Sequence, residues 1–254
     1  MSKVKFGVVV FPGSNCDHDA YYALKHVFKQ DVQFLWHKEN SVGDRNVVIV
    51  PGGFSYGDYL RCGAIARFSN ILKDVVRLAY NGGTVLGICN GFQILCESGL
   101  LPGALIRNTS LKFVCRNVSL KIENKKTIFT GKFEDSSKIN EISLPVAHAE
   151  GNYFCDSSTL NELESENRVI FRYNDNPNGS LANIAGIINK MGNVLGMMPH
   201  PERACEDVVG GHDGSWIFRS IIEYLNLIDI FAYIYRELNY YIYNIKVVAL
   251  IKVL

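Results

Sequence analysis

Apolar residues recur along the chain in short runs that are separated by segments with a helical period. The runs alternate little with polar residues, which is typical of parallel strands buried on both faces. The segments between them keep their apolar residues on one face and predict amphipathic helices. The predicted strands cover residues 5–11, 32–36, 46–51, 84–88 and 193–198. The predicted helices cover residues 17–28, 69–80 and 214–225, and a further helix starts directly after Cys89.

Between residues 111 and 188 the pattern changes to shorter strands with more alternation. The segments FVCRNVSLKI, VIFRY and IAGII carry this pattern, which is typical of antiparallel or mixed pairing. We interpret them as an extension of the same domain. The pattern as a whole predicts an α/β fold, with an open, mostly parallel, flavodoxin-like sheet flanked by helices and a small mixed or antiparallel extension.

The last part of the chain differs from the rest. Residues 227–254 are rich in Ile, Tyr, Asn and Lys and show no clean helical or strand period. Charged residues interrupt this segment, so it contains no run of the roughly 18 apolar residues that a membrane span needs. We therefore predict one domain over residues 1–226 and an atypical hydrophobic C-terminal extension over residues 227–254. The extension is either a partner-binding segment or an appendage outside the fold, and the composition favours the appendage.

Composition and charge narrow the class of protein. The 254 residues are 48% hydrophobic and 20% charged, as in an ordinary globular protein, and the formal net charge is +1. This balance gives no reason to expect a nucleic-acid or membrane partner. The seven cysteines are an odd number, are widely spread and form no CxxC pair. With no signal peptide in front, this pattern indicates reduced thiols in the cytoplasm and no zinc site.

The segment around Cys89 has the form of a nucleophile elbow. An apolar strand ends at Gly87, Cys89 follows, and Gly91 opens the next helix. Small residues on both sides allow a turn tight enough to expose the cysteine above the end of a sheet. A thiol at a helix N-terminus is also favoured as the thiolate. The alternative is a buried core cysteine, which is the commoner role of a free thiol.

His200 and Glu202 follow another predicted strand and are separated by Pro201. Proline disfavours helix for the residue before it, and in an extended segment residues i and i+2 project to the same side. Glu202 can then hold the imidazole of His200 in the orientation needed to take a proton from Cys89. The pattern predicts a Cys–His–Glu triad, although a histidine after a strand is most often only a polar end residue.

A pair of glycines, Gly52 and Gly53, follows the predicted strand at residues 46–51. Active sites of open α/β sheets lie at the carboxyl ends of strands, so these glycines, Cys89 and His200 are expected to converge. An acyl-transfer site needs N–H donors aimed at the developing oxyanion. We assign this role to the N–H groups of Gly53 and Asn90, with a simple turn as the alternative for the glycine pair.

The segment SNCDHD, residues 14–19, gathers side chains that bind metals in other proteins. It also lies where the first helix is expected to begin. Ser14 or Asn15 can cap that helix, and the two aspartates favour its positive end. We favour the helix start over a metal site.

The residues singled out above, and their order along the chain, match the pattern of a known protein family. The chain resembles the class I (triad-type) glutamine amidotransferases, and within them the PurQ-type branch of glutaminase subunits of phosphoribosylformylglycinamidine synthase. The resemblance covers about residues 3–226 and leaves the tail without a counterpart. It rests on the segments PGGFSYGDYLRCGAIA, GICNGFQIL, RNTSLKF, HAEGNYF, YNDNPNGS and MMPHPERA.

The resemblance implies hydrolysis of L-glutamine to glutamate and ammonia through a thioester on Cys89. It further implies that Gly52, Gln93, Glu150 and Gly151 contact the substrate. The ammonia would pass to a PurL-type synthetase that uses ATP and Mg²⁺ to convert formylglycinamide ribonucleotide to its amidine, with a PurS-type third subunit. No GxxxxGK loop is present in the chain, which agrees with ATP being bound elsewhere.

The sequence leaves three alternatives open. The chain could serve another synthetase, or it could be a catalytically silent regulatory subunit. The YNDNPNGS segment, residues 173–180, is either a plain surface turn or a docking surface for the synthetase.

Overall fold

The computed structural model describes residues 3–58, 62–135 and 139–251. Its strands form one nine-stranded sheet in the order β2-β1-β3-β4-β11-β10-β9-β6-β7 and one two-stranded sheet of β5 and β8. The strands are β1 (Lys5–Val10), β2 (Asp31–Trp36), β3 (Val47–Val50), β4 (Thr84–Ile88), β5 (Ala104–Ile106), β6 (Val114–Ile122), β7 (Glu141–His148), β8 (Asn152–Phe154), β9 (Val169–Tyr173), β10 (Ile184–Ile188) and β11 (Val194–Met197).

Five adjacent strands, β2, β1, β3, β4 and β11, pair in parallel. Every residue of β3, β4 and β11 is buried, which explains why the sequence shows continuous apolar runs there. The strand order places the sequence-distant β11 beside β4. The prediction of an open, parallel, flavodoxin-like sheet is confirmed for this half.

The other half of the large sheet is antiparallel. Strands β10, β9, β6 and β7 continue from β11, and each pairs with its neighbour in the antiparallel sense. Strand β6 alternates between exposed and buried residues over its second half because one of its faces is solvated. The predicted mixed extension therefore belongs to the same sheet and does not form a separate unit.

Helices form at the four positions that the apolar period predicts, and two further helices lie between residues 131 and 165, where none was predicted. They are α1 (Asp17–Tyr22), α2 (Asn70–Tyr80), α3 (Asn90–Glu97), α4 (Gly131–Asp135), α5 (Ser157–Ser165) and α6 (Ser215–Ile251). Helix α1 continues as a π-turn over Ala23–Val27. In α2 the Ser69 side chain accepts the N–H of Leu72, as expected for an N-cap.

The start of α1 differs from the prediction. Its N-cap is Cys16, whose side chain makes no capping hydrogen bond, so neither Ser14 nor Asn15 caps the helix. Ser14 Oγ bonds instead to the backbone of Phe11 and to Asp17. The N–H of Cys16 donates to the carbonyl of Gly52 at 3.3 Å. The end of β1 is thereby tied to the glycine pair after β3.

The last helix is longer than predicted. It does not end near Leu225 but continues to Ile251, so it crosses the predicted boundary at residue 226. Neither Gly nor Pro occurs between these positions, so nothing in the sequence stops the helix. Large apolar side chains just past the boundary are exposed, including Leu227, Ile228 and Phe231. Within the described residues, no helix is both long and apolar enough to span a membrane.

Candidate active site

The register of three neighbouring strands aligns their carboxyl ends. Val50 at the end of β3 pairs with Gly87 of β4, and Ile88 of β4 pairs with Met197 of β11. The residues that follow these strands therefore meet at one edge of the sheet. They are the glycine pair, Cys89 and the segment that contains His200, and their predicted convergence is confirmed.

Cys89 lies on a sharp turn between β4 and α3. Its backbone has φ 52° and ψ −107°, a sparsely populated conformation for a residue with a side chain. Its N–H donates to the carbonyl of Met197 at 2.8 Å, which holds the turn against β11. A Cβ on Gly91 would lie 1.8 Å from the carbonyl oxygen of Val50, so only glycine fits there. The elbow geometry is therefore that expected from the GxCxG spacing.

The side chains of His200 and Glu202 form a buried pair. His200 Nδ1 lies 2.6 Å from Glu202 Oε1, and the two side chains are 1% and 0% exposed. His200 has an extended backbone conformation and Pro201 begins a short 3-10 turn, as the His-Pro-Glu spacing predicts. Among the described residues, none hydrogen-bonds to His200 Nε2. The imidazole is thus anchored through one nitrogen and has the other available for proton transfer.

The electrostatics of this pair favour a charged imidazole. Burial by itself would lower the pKa of His200. The carboxylate of Glu202, and after it the sulfur of Cys89, outweigh burial and raise the pKa well above its ordinary value. A positive His200 beside Cys89 stabilises a thiolate, which is the nucleophilic form of cysteine.

The glycine pair closes the other side of the site. A Cβ on Gly52 would lie 2.7 Å from His200 Cε1 and 3.3 Å from Cys89 Cβ, so the backbone approaches both residues closely. Gly53 has φ +141°, which an L side chain rarely adopts. The N–H of Asn90 is the first of helix α3 and has no acceptor within the helix. Asn90 directly follows Cys89 in the chain. The oxyanion role of the Gly53 and Asn90 N–H groups stays a prediction.

A cavity of about 100 Å³ opens at this edge of the sheet. Its lining includes Gly53, Phe54, Cys89, Phe113, Ala147 and His200. Gln93, Glu150 and Gly151 do not line it. Gln93 Nε2 donates instead to the carbonyl of Glu150 at 2.6 Å. The predicted substrate contacts at these three residues stay predictions, and the structure places Gln93 beside Glu150.

Sequence reasoning missed two residues at the site. Cys16 and Arg203 line the same cavity, and Arg203 Nη2 donates to Cys16 Sγ at 3.1 Å. Donor atoms of Cys16, His200 and Glu202 lie within 4.8 Å of one another, a spacing seen in metal sites. In this structure the Arg203 guanidinium contacts the Cys16 sulfur, and Glu202 binds His200. These donor atoms therefore have partners within the protein. One sequence signal could have identified Cys16: it follows β1, which is also a parallel strand, so it lies at the same edge of the sheet.

The YNDNPNGS segment is partly internal. Asn178 is 0% exposed and Ser180 is 3% exposed, whereas Asn174, Asp175 and Gly179 face solvent. The prediction of a docking surface therefore stays a prediction for the exposed residues only. Asn178 and Ser180 contact the segment that begins at His148, through its Gly151 carbonyl.

His148 provides a test by pH. Burial, and after it the nearby positive charge of His200, lower the pKa of His148 to about 4. In the unfolded chain the pKa of this histidine is about 6.5. Between the two pKa values the unfolded state therefore binds a proton at His148 and the folded state does not. Stability is therefore complete above about pH 6.5 and falls as the pH decreases toward about 4. We expect a loss of about 2 kcal/mol between pH 7 and pH 5 from this group.

Urea unfolding of the wild type and of His148→Gln at both pH values measures this contribution. The variant should lose less stability than the wild type on acidification. His18→Gln is the matched control, because the side chain of His18 is 82% exposed. If the unfolding free energies of the wild type and of His148→Gln depend equally on pH, folding does not lower the pKa of His148.

Comparison with known proteins defines the family. A model described as a CobB/CobQ-like glutamine amidotransferase domain matches residues 3–224. A chain in the structure of PurLQS from Thermotoga maritima is 45% identical, with a TM-score of 0.80 over 88% of this chain and 99% of that chain. The protein belongs to the CobB/CobQ-like glutamine amidotransferase family and is an enzyme of the glutamine amidotransferase type. The resemblance found in the sequence is confirmed.

Two more distant structures share the fold. A putative GMP synthase subunit from Thermoplasma acidophilum is 14% identical, with a TM-score of 0.60 over 90% of this chain and 99% of that chain. A glutamine amidotransferase from Thermotoga maritima is also 14% identical, with a TM-score of 0.53 over 81% and 79% of the two chains. At this identity the likeness supports the fold alone.

Proposed function

We propose that this chain is the glutaminase subunit of a phosphoribosylformylglycinamidine synthase. The observation that carries the proposal is the buried His200–Glu202 pair beside the elbow cysteine, in a chain 45% identical to one in PurLQS. We place the reaction in the cytoplasm, in keeping with seven cysteines that are all free thiols.

The chemistry starts at the thiol of Cys89. The thiolate, paired with protonated His200, attacks the side-chain amide carbon of glutamine. The N–H groups of Gly53 and Asn90 stabilise the negative oxygen of the tetrahedral intermediate. His200 then delivers its proton to the leaving nitrogen, and ammonia departs from a glutamyl thioester on Cys89.

Water completes the cycle. His200, now neutral, takes a proton from the water that attacks the thioester carbonyl. Glutamate leaves as the sulfur is released, and the imidazolium–thiolate pair forms again. Glu202 accepts the N–H of His200 Nδ1 throughout, so that Nε2 exchanges each proton.

The ammonia is consumed by a PurL-type synthetase that binds ATP and Mg²⁺ and converts formylglycinamide ribonucleotide to the amidine. A PurS-type subunit completes the assembly. Service to a different synthetase is the alternative within the same fold. A silent regulatory role is disfavoured because Cys89, His200 and Glu202 are all present and adjacent.

Transfer of labelled nitrogen tests the proposal. Glutamine labelled with ¹⁵N at the side-chain amide is supplied to the chain alone and to the chain with its synthetase, third subunit, ATP and formylglycinamide ribonucleotide. We expect weak glutaminase activity alone, strong stimulation in the complex, and label in the amidine product. A GMP synthetase ATPase subunit is the control partner, and it should receive no label. Transfer of the label to the GMP synthetase subunit would support the alternative that this chain serves a different synthetase.

A further inference from the structure

The backbone of Gly151 is held on both sides by buried asparagines. Its N–H donates to Asn108 Oδ1 at 3.0 Å, and its carbonyl accepts Asn178 Nδ2 at 2.8 Å. Both asparagines are 0% exposed. Ser180 Oγ also lies 3.1 Å from this carbonyl oxygen. A buried amide side chain with all these partners fixes the peptide that it contacts.

This clamp is one residue from a series of hydrogen bonds that reaches Asn90. The carbonyl of Glu150, which precedes Gly151, accepts Gln93 Nε2 at 2.6 Å. Gln93 Oε1 in turn accepts Asn90 Nδ2 at 2.7 Å. Asn90 directly follows Cys89. Buried hydrogen bonds therefore lead from Asn178 to the residue next to the proposed nucleophile.

The orientation of the Asn178 amide follows from its partners. Its Oδ1 accepts the N–H of Ser180 at 3.0 Å and the Ser180 hydroxyl at 2.8 Å, so its Nδ2 must face the carbonyl of Gly151. An aspartate at position 178 has the same shape but no N–H to donate. It would place a carboxylate oxygen against the Gly151 carbonyl in a buried site, and that repulsion would displace the peptide.

We propose that Asn178 is a positioning residue for glutamine, acting through the Gly151 peptide to hold the Glu150 carbonyl and Gln93 in place. The inference rests on the proposed glutaminase function and deepens it. Asn178 does not line the catalytic cavity, so its effect should fall on substrate binding and leave the chemical step largely intact. The buried half of the YNDNPNGS segment then serves the substrate site.

Glutamine binding is measured by calorimetry on the full chain carrying Cys89→Ala, so that turnover is not needed. Adding Asn178→Asp should raise the Kd about tenfold or more. Adding Asn174→Asp is the matched control, since it makes the same change in an exposed residue of the same segment, and it should leave the Kd unchanged. In the otherwise wild-type complex, Asn178→Asp should raise KM for glutamine and change kcat less than about threefold.

Ser180→Ala is a second variant in case the aspartate substitution prevents folding. It removes the hydroxyl that contacts both Asn178 Oδ1 and the Gly151 carbonyl, and it should raise the Kd by a smaller factor. Equal Kd values for the Asn178→Asp and Asn174→Asp chains overturn the inference. A parallel loss of ammonium-dependent synthesis would also overturn the inference, because it would indicate a general structural defect. Glutamine binding without any turnover in the wild-type complex would contradict the proposed function, and the Kd comparison would still decide the role of Asn178.

Discussion

Cys89→Ala should abolish glutamine-dependent amidine synthesis and leave synthesis from added ammonium intact in the reconstituted complex. Without the thiol no thioester can form, and loss of a triad nucleophile typically costs at least about 10⁴-fold in rate. The synthetase does not need Cys89 when ammonia is supplied directly. The rates with glutamine and with ammonium chloride are measured on the same preparation.

Cys96→Ala is the matched control for this experiment. Cys96 is a buried cysteine on the same helix, two turns after Cys89, and its Sγ contacts the carbonyl of Pro102 at 3.7 Å. Burial raises the pKa of the Cys96 thiol, so it stays protonated. Its removal should change glutamine-dependent synthesis only a few-fold. Glutamine turnover that survives in Cys89→Ala would remove Cys89 from the role of nucleophile.

Glu202→Gln should lower kcat for glutamine by about 10²–10⁴-fold. The carboxylate is the main group that raises the pKa of the buried His200, and burial alone would lower that pKa. A neutral amide at position 202 would therefore favour a neutral imidazole and a protonated thiol. The bond at 2.6 Å between Glu202 Oε1 and His200 Nδ1 also selects the tautomer.

The rate of Cys89 alkylation by iodoacetamide tests directly whether Glu202 keeps His200 charged and the thiol reactive. In the wild type, the charged imidazole of His200 should keep the thiol of Cys89 reactive. In Glu202→Gln the alkylation rate should fall, because a neutral imidazole no longer stabilises the thiolate. Ammonium-dependent synthesis should persist in the complex. Unchanged alkylation and turnover would mean that Glu202 only fills space beside His200.

Much of the fold was accessible from local patterns. Strands β3, β4 and β11 were visible as apolar runs because burial on both faces leaves few polar positions. The bounds of α6 were missed because its apolar residues extend around the helix beyond Leu225, which hides the helical period. The N-cap of α1 was misassigned since Ser14 bonds to the strand end and to Asp17, a competition that propensity cannot resolve.

The His200–Glu202 pair could be predicted from sequence because its geometry is local. His200 and Glu202 are two residues apart, and an extended backbone after a strand puts them on one side. The elbow is also local, since Gly87 and Gly91 flank Cys89 within one turn. Only the assumption that strand ends converge was needed to join the two motifs.

The remaining contacts depend on chain segments far apart in sequence. Arg203 and Cys16 are 187 positions apart, and Gly151 and Asn108 are 43 apart. No periodicity relates such residues, because their proximity follows from the order of strands in the sheet. The sequence by itself determined the elbow, the His–Glu pair and the strands that carry them, since each rests on neighbouring residues. Only the tertiary structure decided that Cys16 lies beside His200 and that two asparagines hold Gly151, because those contacts exist only once the sheet has formed.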